Sequence, residues 1–252
     1  MGVHSRGNWY KMALFGLFGK KSDSSPLKKH GDRATNKRAQ AIDRWESIQA
    51  LIQIGSPEAV QALLPRFDFY VDPSITDQDE KDAAFAGVVA VGEDAVAPVG
   101  EYLKRSESLA WPLRLLDSLC TREEVVTRLL DLLAGMDTEY ERDPQRKIDI
   151  IVALEERRDP RVLESALRFL QDASETVRFS AVGTILAQEQ PEAAVEALVS
   201  CYLQEESVRV RNRILEGLGE RSLPIPEEHR AEVRAALMPG FELDSKGRPL
   251  RR

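Results

Sequence analysis

Chemistry at neutral pH is mostly carried by histidine, cysteine, or carboxylates and bases held close together. Histidine is scarce in this chain: His4 and His30 lie in the N-terminal stretch, and His229 stands in a charged first helical turn with no Cys or Ser motif beside it. Cys120 and Cys201 each sit in an apolar helical run, DSLCTREE and LVSCYLQ, where a thiol acts as a small hydrophobe. Two cysteines without ligand spacing make neither a disulfide framework nor a zinc site, and they fit a reducing, cytoplasmic compartment. Asp137, Glu139 and Glu141 fall within GMDTEYERDPQ, which lacks the Gly and the closing Glu that a calcium loop needs, so it reads as a solvated acidic loop. In SVRVRNR, Arg209 and Arg213 stand one turn apart and would clamp a phosphate or carboxylate. Glu205, Glu206 and Glu216 lie close enough in sequence to make that run an ion-pair face instead. No nucleophile elbow, phosphate loop or dinucleotide fingerprint occurs, so the expectation is a protein that is not an enzyme and holds no cofactor or metal.

Binding chemistry is better represented. Phe67, Phe69 and Tyr70 crowd together before Asp72 in PRFDFYVDPSITDQDEKD, read as the longest irregular connection, Pro65 to Asp82. Aromatic anchors on such a loop are expected to meet a protein partner; the competing reading has these rings filling a gap between neighbouring helices. Trp45 and Trp111 are expected in the core, and Trp9 lies in the N-terminal stretch. Leu14, Phe15, Leu17 and Phe18, followed by Lys20 and Lys21, would make a weak contact with a membrane surface or a partner's groove. A net charge of -7 and a pI near 5.2 oppose nucleic-acid binding.

Residues 1–34 lack a periodic apolar pattern and are expected to be a disordered arm. Met12 opens MALFGLFGKKSDSS in the manner of a protein start, which makes the residues before it read as an upstream extension. The apolar septet is too short for a bilayer span and lacks the cleavage site of a secretory signal. No run of about twenty apolar residues is expected to span a bilayer.

From Asn36 onward apolar residues recur at helical spacing and no convincing strand pattern appears, so the fold class is all-α. Stops followed by new starts recur at Ile54, Val91, Leu119, Arg157, Glu189 and Arg221, each with a small or polar cap, acids, and often a proline. Their spacing of roughly thirty to forty residues is the length of two short helices and two turns, the period of a helical repeat. In register, Ile48 and Leu51 align with Phe85 and Val88, Leu113 and Leu116, Ile151 and Leu154, Val182 and Ile185, and Leu215 and Leu218. One turn earlier stands a base, Arg44, Lys81, Lys147, Arg178 or Arg211; Leu109 breaks the series. Asp172 lies six residues before Arg178, and Glu205 six before Arg211, each placed to neutralise an arginine as repeats stack.

Asp172, Val177, Arg178, Ala181, Pro191, Glu192 and Ala193 resemble the short repeats of the HEAT family: an Asp in the lead-in turn, Val-Arg, small and apolar residues, then Pro-Glu-Ala opening a second helix. Val210, Arg211, Leu215 and Leu218 match less fully, and SPEAV at Ser56 matches a second-helix start. The resemblance implies an α-solenoid, a HEAT-like superhelix of about six antiparallel helix pairs, at 36–67, 76–105, 108–134, 143–171, 174–204 and 207–238. The array would fill residues 35–239, with Arg38, Arg44 and Glu46 as a polar first cap and 240–252 as a C-terminal tail. Phe241 and Leu243 alternate before an SKG turn, an extended segment able to pack on the last repeat. HEAT-like arrays generally act as protein-binding scaffolds, which sets the functional expectation. The alternative is a nucleic-acid binder or enzyme using the concave face, DNA-glycosylase-like or bilin-lyase-like.

Overall fold

Helix boundaries follow from local chemistry. The predicted stops at Ile54, Val91 and Leu119 are the last residues of α2 (Ala41–Ile54), α4 (Ser74–Val91) and α6 (Ala110–Leu119). Gly55 closes α2 at φ +59°, a left-handed conformation that favours glycine. Ser56 then accepts the Ala59 N–H, and Pro57 opens α3 (Pro57–Leu63). A reciprocal Thr121–Glu124 capping box starts α7 (Arg122–Ala134). The computed structural model describes residues 25–252, and the remaining helices there are α1 (Pro26–Ala34), α5 (Val96–Arg105), α8 (Gln145–Glu155), α9 (Pro160–Leu167), α10 (Glu175–Ala187), α11 (Val195–Gln204), α12 (Val208–Glu220) and α13 (Arg230–Ala235). The described residues are all-α apart from one hairpin, β1 (Phe241–Leu243) with β2 (Pro249–Arg251), in antiparallel register Glu242 opposite Leu250.

The register read from sequence marks the buried face. Ile48, Leu51, Val88, Leu116, Ile151, Leu154, Val182, Ile185, Leu215 and Leu218 are all buried in one apolar cluster. Helix α4 packs on α2 and α6, and α10 packs on α8 and α12. Small residues let these helices approach. A Cβ on Gly87 would lie 2.4 Å from Ile52, and one on Gly217 would lie 2.2 Å from Leu186. Thr184, like Gly87 and Gly217 one residue before a register position, donates its hydroxyl to the Ile151 carbonyl at 2.9 Å. On α10, Gly183 leaves room for Arg213 of α12 to pair with Glu155 of α8, 3.7 Å apart, over the intervening helix.

Three expectations are corrected. Pro26–Ala34 is a helix, not part of a disordered arm: Ser25 caps it, Pro26 opens it, and it packs on α2 and α3. Its buried residues are Gly31 and Ala34, too small to register as an apolar stripe. The first helical layer is therefore covered by α1, and Arg44, expected at a polar cap, is buried. Residues 1–24, with Leu14, Phe15, Leu17 and Phe18, lie outside the described residues.

The loop Pro65–Asp82 shrinks to residues 69–73, because Leu64–Asp68 form a 3-10 turn and α4 begins at Ser74. Residues 135–144, between α7 and α8, are the longer connection. The most apolar run lies within Ser74–Arg105, where an 18-residue window reaches a mean hydropathy of 1.4, long and apolar enough by composition to cross a membrane. It is interrupted at Gly92, where φ is +72° and a 3-10 turn leads into α5. Its Ala84, Val88, Val99 and Leu103 are buried in the core described above. The tail forms the hairpin, and β2 packs against α12.

Candidate functional site

The aromatic loop rests on buried charge. Arg66, fully buried in the 3-10 turn, donates to Glu80 at 2.7 Å, to Asp77 at 2.9 Å and to the Phe69 carbonyl at 3.2 Å. Arg44 of α2 reaches the same Glu80 through Nη2 at 2.9 Å and Nε at 3.1 Å, and its Nη1 donates to the Ala39 carbonyl. Asp77 also accepts the Val71 N–H at 3.1 Å and Lys81 at 2.8 Å. Burial alone would push the Asp77 carboxyl up, but the hydrogen bonds from Lys81, Arg66 and Val71 outweigh it and hold it below the usual range. Three cations and two carboxylates thus fix both the α2–α4 contact and the backbone of residues 69–71.

What that foundation presents differs residue by residue. Phe67 is buried and stacks on Trp111 at 4.7 Å, so the expectation that it offers its ring to a partner is corrected: it fills the gap beside α6. Phe69 lies half-buried beneath the Arg66 guanidinium, 4.5 Å from its ring centre. Tyr70 and Asp72 are the exposed members, and Asp72 beside the Tyr70 hydroxyl adds to desolvation in raising that group's pKa. Arg114 packs on Trp111 and Phe85 at 4.6 and 4.9 Å, extending the aromatic cluster. Beside the 3-10 turn opens a cleft of about 590 Å3, lined by Phe67, Asp68, Tyr102, Arg105 and Trp111. The Tyr102 hydroxyl donates to Asp68 at 2.5 Å; burial first, then that carboxylate, raise the Tyr102 pKa strongly. The expectation that Trp45 is a core residue is also corrected, since 38% of it is exposed on α2.

The ladder of bases is real contact, with partners other than those expected. Lys147, buried, donates to Asp172 at 2.8 Å, and Arg178 makes a two-pronged pair with Glu205 at 2.7 and 2.8 Å. Each acid thus pairs back to the base of the preceding helix pair, not to the arginine six residues ahead. Arg178 meets Asp172 only at its carbonyl, at 2.9 Å. Both carboxylates also accept a backbone N–H at the start of the following helix, Asp172 from Ser174 and Glu205 from Ser207, each at 2.8 Å. Burial would raise the Glu205 pKa; Arg178 and the Ser207 N–H prevail and lower it. Lys81 pairs within α4, and Arg211 reaches the Ala236 carbonyl and the Tyr202 hydroxyl.

The arginine run carries an ion-pair face with partners different from those read in sequence. Arg209 lies 3.9 Å from Glu175 and Arg213 pairs with Glu155, both over the Phe179 ring, while Glu216 binds Arg251. Cys201 lies part-buried at 3.6 Å from the Leu170 carbonyl, and burial pushes its thiol up to about 11, away from reactivity. Cys120 is raised by burial as well. His229 contacts Glu196 at 2.6 Å, which raises its pKa. Sequence reasoning missed Arg66 and Glu80; a signal existed only in Arg66 as the single base between Val60 and Val71, a stretch rich in apolar and aromatic residues. No protein-family model matches the chain, and no curated protein matches it at a significant level.

Proposed function

We propose that the chain is a HEAT-like α-solenoid serving as a non-enzymatic scaffold, with the edge formed by Tyr70, Asp72 and the adjoining aromatic cleft as its protein-binding site. The observation that carries this reading is the investment of buried charge beneath five loop residues. Arg66 and Asp77 take hydrogen bonds from or give them to the loop backbone at Phe69 and Val71. A loop so held enters a complex with little conformational freedom left to lose, which favours affinity. Tyr70, 46% exposed, is then a rigid aromatic anchor with a polar tip. The fold reading is supported by the shared register of buried residues, by α4 lying against both α2 and α6, and by α10 lying against both α8 and α12.

The test compares the intact chain with Tyr70→Ala/Asp72→Ala as bait in native lysate, after thermal melts establish equal stability. The expected result is a protein captured by the intact form and reduced about tenfold or more with the variant, the effect of losing one hot spot. Equal capture by both forms removes the site. Co-purification of nucleic acid or a small molecule without any protein overturns the scaffold reading.

A further inference from the structure

The exposed crest of α2 and α4 carries a chemistry that the partner edge does not use. Arg44 meets Glu80 and Ile52 meets Gly87, offsets of 36 and 35 residues, so the two helices run side by side in the same direction. On their outer sides, away from buried Ile48, Leu51, Ala84 and Val88, lie Ile42 and Trp45 on α2 and Ile75 on α4. Ile42 is 60% exposed and Ile75 69%. Interleaved with them are the exposed acids Glu46, Asp79 and Asp82. The only base on each helix, Arg44 or Lys81, is turned inward to Glu80 or Asp77. The crest is therefore apolar and acidic, with no cation of its own helices to neutralise it.

The complementary chemistry is in the same chain. Residues 1–38 hold nine Lys and Arg against two Asp and Glu, a net of +7, whereas residues 39–244 hold 22 against 40, a net of -18. Within the basic part, Met12, Leu14, Phe15, Leu17 and Phe18 are followed at once by Lys20 and Lys21. Six residues separate Phe18 from Ser25, a reach of roughly 20 Å when extended. Ser25 caps α1, which packs on α2 and whose Arg33 lies 3.6 Å from Asp43 of α2. A segment tethered through a helix that packs on α2 acts at an effective concentration on the order of millimolar, an advantage no free partner has.

We propose that the crest of α2 and α4 is a docking surface for this chain's own segment Met12–Lys21, apolar side chains against Ile42, Trp45 and Ile75 and the two lysines against Glu46, Asp79 and Asp82. The proposal stands apart from the partner edge: either can fail alone.

The experiment places a benzophenone amino acid at position 75 of the full chain, and in a second preparation at position 152, an exposed valine site on α8. Irradiation of dilute protein, mixed half-and-half with isotope-labelled chain, is followed by peptide mapping. The expected result is a cross-link from position 75 to residues 12–21 of the same isotopic species, absent from position 152. It should weaken in about 0.5 M salt, where charges are screened within a few ångströms. It should be lost in Phe15→Ser/Phe18→Ser/Lys20→Glu/Lys21→Glu, with thermal melts checking that the helical core keeps its stability. Cross-links between differently labelled chains would assign the crest to a second copy and overturn the proposal. So would equal cross-linking from position 152, or none to residues 12–21.

Discussion

Between α2 and α4 the tie is a buried cluster of five charges; from α8 to α12 it is one carboxylate at a time. Glu80 serves Arg44 and Arg66 together, and its removal leaves Arg44 without a carboxylate and Arg66 with Asp77 alone. Asp172 and Glu205 each serve one base and one helix start. Between these regions the rung is missing: Leu109 occupies the base position, and Arg146 instead donates to the Leu103, Lys104 and Ser106 carbonyls at the end of α5. The difference teaches that a shared register can be held by unlike chemistry, provided every buried charge finds a partner.

The largest expected effect breaks the cluster. Glu80→Ala leaves two buried guanidiniums with one carboxylate fewer and is expected to lower stability by about 3–5 kcal/mol in denaturant melts. It should also loosen residues 69–71, read as faster amide exchange at Val71. A loss no larger than that of an exposed acid would mean that the cluster is solvated. Next comes a single rung: Asp172→Asn keeps an acceptor for the Ser174 N–H but deprives buried Lys147 of its main partner, with an expected loss of about 2–3 kcal/mol. Equal losses from the two variants would erase the distinction between cluster and ladder.

The smallest effect lies on the surface. His229 has its pKa raised by Glu196, so the pair contributes below the ordinary imidazole value of about 6.5 and is lost as pH rises through the higher folded value. His229→Asn should therefore flatten a slight decline in stability as pH rises from about 6.5. Melts of both forms from acid to alkaline pH check the sign, and a decline that survives in the variant assigns it to other groups.

These contrasts also explain what was legible in the sequence. Asp172, Glu205, Arg178 and Lys147 could be read because they recur at fixed distances from apolar register positions, although the direction of pairing could not. Which acid meets which base depends on how far neighbouring helices are offset, and that is set by close approaches such as Gly217 on Leu186. Glu80 was hidden among the acids of DQDEKD, where only three-dimensional placement separates buried Asp77 and Glu80 from exposed Asp79 and Asp82. Of the candidate site, the aromatic types and their position were visible. The division into buried Phe67 and exposed Tyr70 was not, because the stacking partner Trp111 comes from another helix.

The Glu155–Arg213 pair over Gly183 has a mechanical side. A tie joining the first and third of three neighbouring helices above the second resists any motion that spreads the outer two, as a string holds a bow. Helices α8, α10 and α12 should consequently bend less readily on that side than on the opposite one. A bulkier residue at position 183 would push the tie apart and release that stiffness without touching the apolar core.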